Sequence, residues 1–380
     1  MPNLMILLKP ASGICNLNCQ YCFYYDVMNR REIESYGFMS LETLEQVVKR
    51  AFEYVEHSVT FTFQGGEPTL IGLPFYQELI RLVEQYNSKN IRVSYAIQTN
   101  GIKIDKSWAE FFKKHNFLVG LSMDGPKEIH DINRTDALRN GTFLKVDKAG
   151  KLLTQYGVDI NVLCVVSKNV AKHPTRVYEF FKKNHYTYLQ FIPCLDALGE
   201  KSGMKKYSLL PKDYGQFLCQ LFDLWYRDFK NGIRISIRMF DNLLSMLLGY
   251  PPESCDMYGQ CSMNAVIEGD GAVYPCDFYV LDEWNMGNIN DIGFEELKTK
   301  SNGRQFVELS LEKDHKCRSC EFFCICRSGC RRHKEPMLDG KPGINYFCDS
   351  YKTFYTYTLP RFNEIAGIIY REIKRKQSFE

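Results

Sequence analysis

The chain has 380 residues, of which 45% are hydrophobic and 24% are charged, a composition typical of soluble globular domains. Its 48 basic and 45 acidic residues leave a net charge of +3, which argues against a nucleic-acid-binding surface built on bulk charge. No segment reaches the roughly 18 consecutive apolar residues of a membrane span, and the N-terminus lacks the features of a signal peptide. We therefore expect a cytoplasmic protein of two or three domains, with no nucleic-acid or membrane partner.

The first two thirds of the chain alternate between strand-like and helix-like segments. Strands are predicted at Leu4–Lys9, Val59–Gln64, Arg92–Gln98, Phe117–Ser122, Asp159–Val165 and Tyr188–Ile192. Helices are predicted at Leu41–Val55, Leu73–Tyr86, Trp108–Lys114, Phe143–Tyr156, Pro174–Lys183, Pro211–Phe229 and Asn242–Leu248. This alternation predicts an α/β fold of parallel units. Six units suggest a partial (β/α)6 barrel, in which active sites collect at the C-terminal ends of strands.

Three cysteines follow the first predicted strand within eight residues, at Cys15, Cys19 and Cys22. Thiolates are soft ligands that suit iron–sulfur clusters. A cluster of four irons held by three thiolates keeps one iron open, and an open metal position is typical of a catalytic site. The alternatives are half of a zinc site or three buried thiols.

Short polar motifs follow the next three predicted strands. Gln64-Gly65-Gly66-Glu67-Pro68 ends the second strand, and its glycines would let the backbone approach a ligand closely. Gln98-Thr99-Asn100-Gly101 ends the third strand, and Ser122-Met123-Asp124-Gly125 ends the fourth. Each motif is also compatible with an ordinary turn, because Gly-Gly, Asn-Gly and Asp-Gly are turn dipeptides.

The last third contains a second group of cysteines among its 15 in total. Pro251-Pro252 predicts a domain boundary, so we expect a barrel domain at residues 1–250, a cysteine-rich domain at 251–350 and a C-terminal helix at 351–380. Eight cysteines there are enough for two four-thiolate sites, and spacing alone does not exclude zinc: Cys255, Cys261, Cys276, Cys317, Cys320, Cys326, Cys330 and Cys348. The remaining cysteines are interpreted as small buried side chains: Cys164, Cys194, Cys219 and Cys324.

The pattern Cys-x3-Cys-x2-Cys followed by Gly-Gly-Glu resembles the radical SAM enzymes, and the later cysteines resemble their SPASM extension. This resemblance implies three [4Fe–4S] clusters and S-adenosylmethionine. It assigns one cluster to Cys15, Cys19 and Cys22, a second to Cys255, Cys261, Cys276 and Cys330, and a third to Cys317, Cys320, Cys326 and Cys348. It also implies contacts to S-adenosylmethionine from Tyr21, Gly65, Gly66, Glu67, Ser122, Arg134 and Leu195.

Within that group the chain is most similar to the anaerobic sulfatase-maturating enzymes, in segments such as Phe63–Thr69, Leu118–Pro126 and Val273–Tyr279. The resemblance implies oxidation of a cysteine or serine of a sulfatase to Cα-formylglycine through a 5′-deoxyadenosyl radical. It implies Asp277 as the base, Tyr24 and Gln64 as peptide contacts, and an electron donor such as flavodoxin or ferredoxin. The alternatives are a SPASM maturase that crosslinks a ribosomally made peptide, and a non-enzymatic iron–sulfur or zinc protein.

Overall fold

The computed structural model describes residues 3–337 and 342–377, with only the backbone described for residues 376 and 377. In this part of the chain the strands are β1 Leu4–Leu8, β2 Ser58–Phe63, β3 Arg92–Thr99, β4 Phe117–Ser122, β5 Asp159–Val166, β6 Tyr188–Pro193, β7 Ser236–Ile237, β8 Ala265–Ile267 and β9 Val273–Tyr274. Short 3-10 helices lie at Pro68–Ile71, Cys255–Met257, Asp277–Tyr279, Asp282–Trp284 and Arg331–Lys334.

The α-helices connect these strands and make up most of the C-terminal part. They are α1 Phe23–Met28, α2 Leu41–Tyr54, α3 Leu73–Tyr86, α4 Lys106–Lys114, α5 Lys127–Asn133, α6 Phe143–Gln155, α7 Lys168–Ala171, α8 Pro174–Lys183, α9 Pro211–Lys230, α10 Arg238–Leu247, α11 Phe294–Leu297, α12 Ser301–Leu311, α13 His315–Arg318, α14 Phe323–Cys326 and α15 Cys348–Gln377. Among the described residues, no helix is both long and apolar enough to cross a membrane.

The chain divides into two compact units. The first unit comprises Met1–Met123, His130–Val162 and Ser262–Glu308, and the second comprises Asp124–Ile129, Leu163–Cys261 and Leu309–Glu380. Each unit therefore combines segments that are distant in sequence. This division differs from the linear domains predicted from the sequence, whose boundaries stay a prediction.

The first unit is built on a sheet in which strands follow in the order β4-β3-β2-β1-β8-β9. Strands β1 to β4 and β8 pair in parallel, and β9 returns antiparallel to β8. Parallel pairing aligns the C-terminal ends of β1, β2, β3 and β4 along one edge, so the loops that follow them meet there. The cysteine triplet, the Gly-Gly-Glu motif and Ser122 all follow these strand ends.

The helices of the first unit form where apolar residues recur at helical spacing. In α2, the hydroxyl of Ser40 accepts a hydrogen bond from the backbone N–H of Thr43 and so caps the helix N-terminus. Its apolar face carries the fully buried Leu44, Val47 and Val48, which pack in a core that also contains the sheet residues. This burial is the main source of helix stability, because a helix of this length is marginal alone.

The second unit contains β6, β7 and a group of packed helices. β6 and β7 pair in parallel. Phe222 of α9 packs against Phe240 of α10 and against Phe354 and Phe362 of α15, at ring-centroid distances of 4.6–6.4 Å. The aromatic face predicted on Pro211–Phe229 is therefore core.

Most predicted elements are confirmed. The strand Phe117–Ser122 and the helices Leu73–Tyr86 and Pro174–Lys183 have the predicted bounds. The helix predicted at Asn242–Leu248 is also confirmed, although it begins earlier, at Arg238, and ends at Leu247. Helix α1 directly after Cys22 was missed, since its six residues are too few for a periodic signal.

Candidate active site

The cysteine triplet lies in the loop between β1 and α1, and backbone hydrogen bonds fix this loop. Asn18 N–H donates to the carbonyl of Thr135 at 2.8 Å, and Gln20 N–H donates to that of Asn133 at 3.0 Å. Leu17 N–H points at the Cys15 sulfur, 3.4 Å away. Main-chain hydrogen bonds to Asn133 and Thr135 therefore hold the loop that carries the three thiols.

The three thiols fit an iron–sulfur cluster by their chemistry and their mutual proximity, since the charges of Cys19 and Cys22 both act on Cys15. Cys15 and Cys22 are exposed, and Cys19 is half-buried. Desolvation by the surrounding protein still raises the pKa of the Cys15 thiol to about 12. The protein alone therefore does not make this group a thiolate, whereas a bound metal deprotonates a coordinating thiol outright.

The Gly-Gly-Glu motif packs directly against the cysteine loop. Gly66 N–H donates to the Ser12 carbonyl and Glu67 N–H to the Ile14 carbonyl, each at 2.8 Å. A Cβ on Gly66 would lie 2.1 Å from the Ile14 carbonyl oxygen, so only glycine fits at this contact. The motif therefore supports the loop that holds the triplet.

The Glu67 carboxylate is only 1% exposed and receives hydrogen bonds from the protein. Oε1 accepts from the hydroxyls of Thr69 at 2.6 Å and Thr99 at 2.7 Å, and Oε2 accepts from Asn100 N–H at 2.8 Å. Burial raises the pKa of this carboxyl, and these hydrogen bonds oppose the rise. The side chain is thus directed at protein donors. The contact of this motif with S-adenosylmethionine stays a prediction, and we expect its backbone to make that contact.

Three other residues predicted to contact S-adenosylmethionine, Tyr21, Ser122 and Arg134, lie in the first unit. Ser122 Oγ accepts from the Gln98 amide at 2.8 Å. Arg134 is buried, and its guanidinium carbon lies 5.5 Å from the centroid of the Tyr21 ring. Leu195 belongs to the second unit, where it is half-buried shortly after β6. Their roles in binding stay predictions.

Asp277 begins a short 3-10 helix directly after Cys276. Both of its carboxylate oxygens are engaged, since the Lys9 ammonium donates to Oδ1 and the Gln64 amide donates to Oδ2 at 3.0 Å. The Asp277 side chain is 18% exposed, whereas that of Lys9 is fully buried. A carboxylate held in this way keeps free lone pairs and remains reachable, which suits a proton acceptor.

A second buried ion pair lies beside Lys9. Arg31 Nη1 donates to Glu268 Oε1 at 2.9 Å, and neither side chain is exposed. The Tyr24 hydroxyl also donates to Glu268, and the Lys9 ammonium lies 3.8 Å from the centroid of the Tyr24 ring. Burial raises the pKa of Glu268 to about 7, and the charge of Lys9 lowers it.

Tyr24 is only 2% exposed and faces this interior group, so its predicted contact with a peptide stays a prediction.

Sequence reasoning missed Lys9, Arg31 and Glu268. Lys9 could have been found from its position, because it lies at the C-terminal end of the first strand, where active sites collect. Gln64, predicted to contact the peptide, contacts Asp277.

In the second unit, four of the predicted ligands line one cavity. Cys317, Cys320, Cys326 and Cys348 surround a space of about 430 Å³ together with aromatic side chains such as Tyr355. The charges of the other three cysteines act on Cys326, and burial raises its pKa to about 11. The structure thus brings together the set that the resemblance assigned to one cluster.

Three of the remaining ligands also lie together in the second unit, since the charges of Cys255 and Cys261 both act on Cys330. Cys276 belongs to the first unit. Within the described ranges, no three His, Cys, Asp or Glu side chains form a group that could hold a metal ion. The thiolates that bind an iron–sulfur cluster lie farther apart than the ligands of a single ion, because each thiolate binds a different iron.

Four cysteines lie outside these sets. Cys164 and Cys194 are buried as predicted, and Cys219 is half-buried. The prediction was wrong for Cys324, which is exposed. It lies in helix α14, next to the buried Ile325, on the side of the helix that faces solvent.

Two family models match the chain. The radical SAM superfamily model matches residues 10–180, and the SPASM iron–sulfur cluster-binding domain matches residues 255–321. With the β/α repeats and the thiol triplet, they define a radical SAM enzyme with an auxiliary cluster-binding extension. Its cofactors are therefore S-adenosylmethionine and iron–sulfur clusters, and the α/β barrel class with a C-terminal SPASM domain is confirmed.

Individual relatives narrow the class. A cysteine-type anaerobic sulfatase-maturating enzyme of Clostridium novyi (strain NT) is 51% identical over 98% of this chain and 100% of its own. A serine-type enzyme of the same name from Bacteroides thetaiotaomicron is 31% identical over 94% of this chain and 90% of its own. The solved structure of native anSMEcpe with bound AdoMet and Cp18Cys peptide superposes with a TM-score of 0.93 at 48% identity, covering 97% of this chain and 100% of that one. The chain belongs to the anaerobic sulfatase-maturating enzymes.

Proposed function

We propose that this enzyme oxidises a cysteine side chain in a sulfatase polypeptide to Cα-formylglycine. The observation that carries the proposal is the 51% identity, over nearly the full length of both chains, to a cysteine-type member of the family. A serine-type member is only 31% identical. Cysteine is therefore the favoured target, and serine is an outcome of the test.

The residues that would hold the cofactors are the cysteines and loop residues described above. We assign the first cluster to Cys15, Cys19 and Cys22, and the two auxiliary clusters to the eight later cysteines. When bound, the first cluster and S-adenosylmethionine supply a radical that removes a hydrogen atom from Cβ of the target residue, and an auxiliary cluster supplies an acceptor for an electron. Reducing equivalents would come from a flavodoxin or ferredoxin in the cytoplasm.

Asp277 is the proposed base. The conversion removes one hydrogen atom from Cβ, one proton from Sγ and one electron, which leaves a thioaldehyde. Water then replaces the sulfur, giving the aldehyde and hydrogen sulfide. The carboxylate of Asp277 would accept the Sγ proton, because it is partly exposed and each oxygen keeps a lone pair after binding Lys9 or Gln64.

The test is anaerobic incubation of the reconstituted enzyme with S-adenosylmethionine, a reductant and three sulfatase peptides that carry cysteine, serine or alanine at the target position. We expect an aldehyde from the cysteine peptide, detected by mass spectrometry and by reaction with a hydrazide, and none from the alanine peptide. A faster reaction of the serine peptide would reassign the target. Cleavage of S-adenosylmethionine without any aldehyde, or a crosslinked peptide, would overturn the proposal.

A further inference from the structure

Lys9 is a fully buried cation at the strand ends of the first unit. It directly follows β1, its side chain is 0% exposed, and its ammonium donates to Asp277 Oδ1. A charge removed from water costs several kcal/mol unless an opposite charge compensates it. Lys9 therefore needs a carboxylate at this position, and Asp277 provides it.

The carboxylate is oriented from two sides. Lys9 binds Oδ1, and the Gln64 amide binds Oδ2 at 3.0 Å. Lys9 itself has little freedom, because its ammonium lies 3.8 Å from the Tyr24 ring centroid. A Cβ on Gly65 would also lie only 3.1–3.2 Å from the Lys9 side chain. The direction of the Asp277 carboxylate is thus determined by residues that are themselves packed.

We propose that Lys9 is a positioning residue, whose buried ammonium, braced by the Tyr24 ring, orients the Asp277 carboxylate toward the peptide. The inference rests on the proposed function, in which Asp277 takes the proton from the target thiol. Lys9 acts through Asp277 and touches neither cofactor nor peptide in this role. A misplaced base slows proton transfer without changing the binding of either substrate.

The Tyr24 ring connects Lys9 to the second ion pair. Its hydroxyl donates to Glu268, which also accepts from Arg31 Nη1 at 2.9 Å. Lys9 thus contacts Asp277 and also packs on the Tyr24 ring. A hydrogen bond to the buried Glu268 carboxylate holds that ring in place. Because this support is rigid, loss of the ammonium would release Asp277 and leave the surrounding residues in place.

The experiment compares Lys9→Met and Lys9→Arg with a control, Lys182→Met. Lys182 also contacts a buried aspartate, Asp228, at 2.9 Å, but lies in the second unit. In the anaerobic holoenzyme, Lys9→Met is expected to lower kcat about 100-fold with KM changed less than about 3-fold. Lys9→Arg restores the charge but places a larger guanidinium in a packed site, so it is expected to recover only part of that loss. Lys182→Met is expected to match the wild type.

Two further readouts separate positioning from folding. The iron content and the electron paramagnetic resonance spectrum of Lys9→Met should match the wild type, while 5′-deoxyadenosine formed per formylglycine should rise. Carbodiimide labelling of Asp277, followed by peptide mass spectrometry, should be slow in the wild type relative to exposed Asp159 and accelerate in Lys9→Met. Labelling does not depend on turnover, so it tests Lys9 even if the proposed sulfatase reaction fails.

Several outcomes would overturn the inference. An unchanged kcat in Lys9→Met, or a loss that follows iron content or KM, would assign Lys9 to stability alone. If Lys9→Met does not fold, Lys9→Gln keeps a hydrogen-bond donor of similar length and takes its place in the same assays. Wild-type labelling of Asp277 as fast as Asp159 would contradict the oriented carboxylate without any variant.

Discussion

Two carboxylates near the strand ends of the first unit are held in opposite ways. Glu67 is 1% exposed and receives its hydrogen bonds from hydroxyls and backbone N–H groups. Asp277 is 18% exposed and is held by an ammonium and an amide. Both follow a strand of the same sheet, Glu67 the parallel strand β2 and Asp277 the antiparallel strand β9.

The contrast shows that two carboxylates of similar chemistry take different roles because their surroundings differ. Four donors that belong to the chain itself surround Glu67, so its carboxylate ties the loops after β2 and β3 together. Asp277 has fewer partners and is partly exposed, so in the proposed mechanism it would take a proton from a bound peptide. We therefore expect substitution of Glu67 to act through folding and substitution of Asp277 to act on chemistry.

The largest expected effect is that of Asp277→Asn on formylglycine formation. The amide keeps the shape but accepts no proton, so the rate should fall by about 10³-fold. Cleavage of S-adenosylmethionine, measured as 5′-deoxyadenosine, should persist with normal iron content. Parallel loss of both products would make Asp277 structural and remove the contrast with Glu67.

Glu268 tests whether burial or charge pairing determines what a carboxylate does. It is buried, as Glu67 is, but a cation binds it, as one binds Asp277. Glu268→Gln would leave Arg31 buried without its counter-charge and should destabilise the enzyme by about 3 kcal/mol. The measurement is the unfolding midpoint of the anaerobic holoenzyme. Replacing Arg31 with Met as well should recover part of the loss, and failure to recover would mean that the pair is not coupled.

Glu67→Gln tests the enclosed carboxylate. Whichever way the new amide turns, its NH2 group would face a backbone N–H, that of Asn100 or that of Thr69, and this donor-against-donor contact should destabilise the enzyme by about 2 kcal/mol. Because the cysteine loop rests on this motif, 5′-deoxyadenosine and formylglycine should fall by the same factor. A variant that loses only formylglycine would show that Glu67 acts at the same step as Asp277.

The smallest expected effect is that of Thr99→Val. It removes one donor, at 2.7 Å, from a carboxylate that keeps others, and the shape is nearly conserved. We expect a loss of about 1 kcal/mol in the free energy of unfolding, with both products formed at wild-type rates. A change in the ratio of the two products would place Thr99 closer to the chemistry than the structure indicates.

Local patterns in the chain were enough to predict the alternating elements and the cysteine triplet, whereas the division of the eight later cysteines into two sets came from the family resemblance. The triplet at Cys15, Cys19 and Cys22 is a short-range signal, since three thiols in eight residues need little help from the fold to meet. The six predicted strands are likewise periodic over a few residues each. Helix α1 lacked such a signal because of its length.

The sequence by itself determined which residue types could do the chemistry: the thiols of the triplet and the aspartate after Cys276. Only the tertiary structure decided how they are supported. Lys9 meets Asp277 across 268 positions of sequence, and Tyr24 meets Glu268 across 244. Such pairs carry no local periodicity, because they form only when the folded chain brings together residues that are far apart in sequence. The physical reason is burial: a carboxylate becomes a loop anchor or a base according to the donors and water that the folded chain leaves around it.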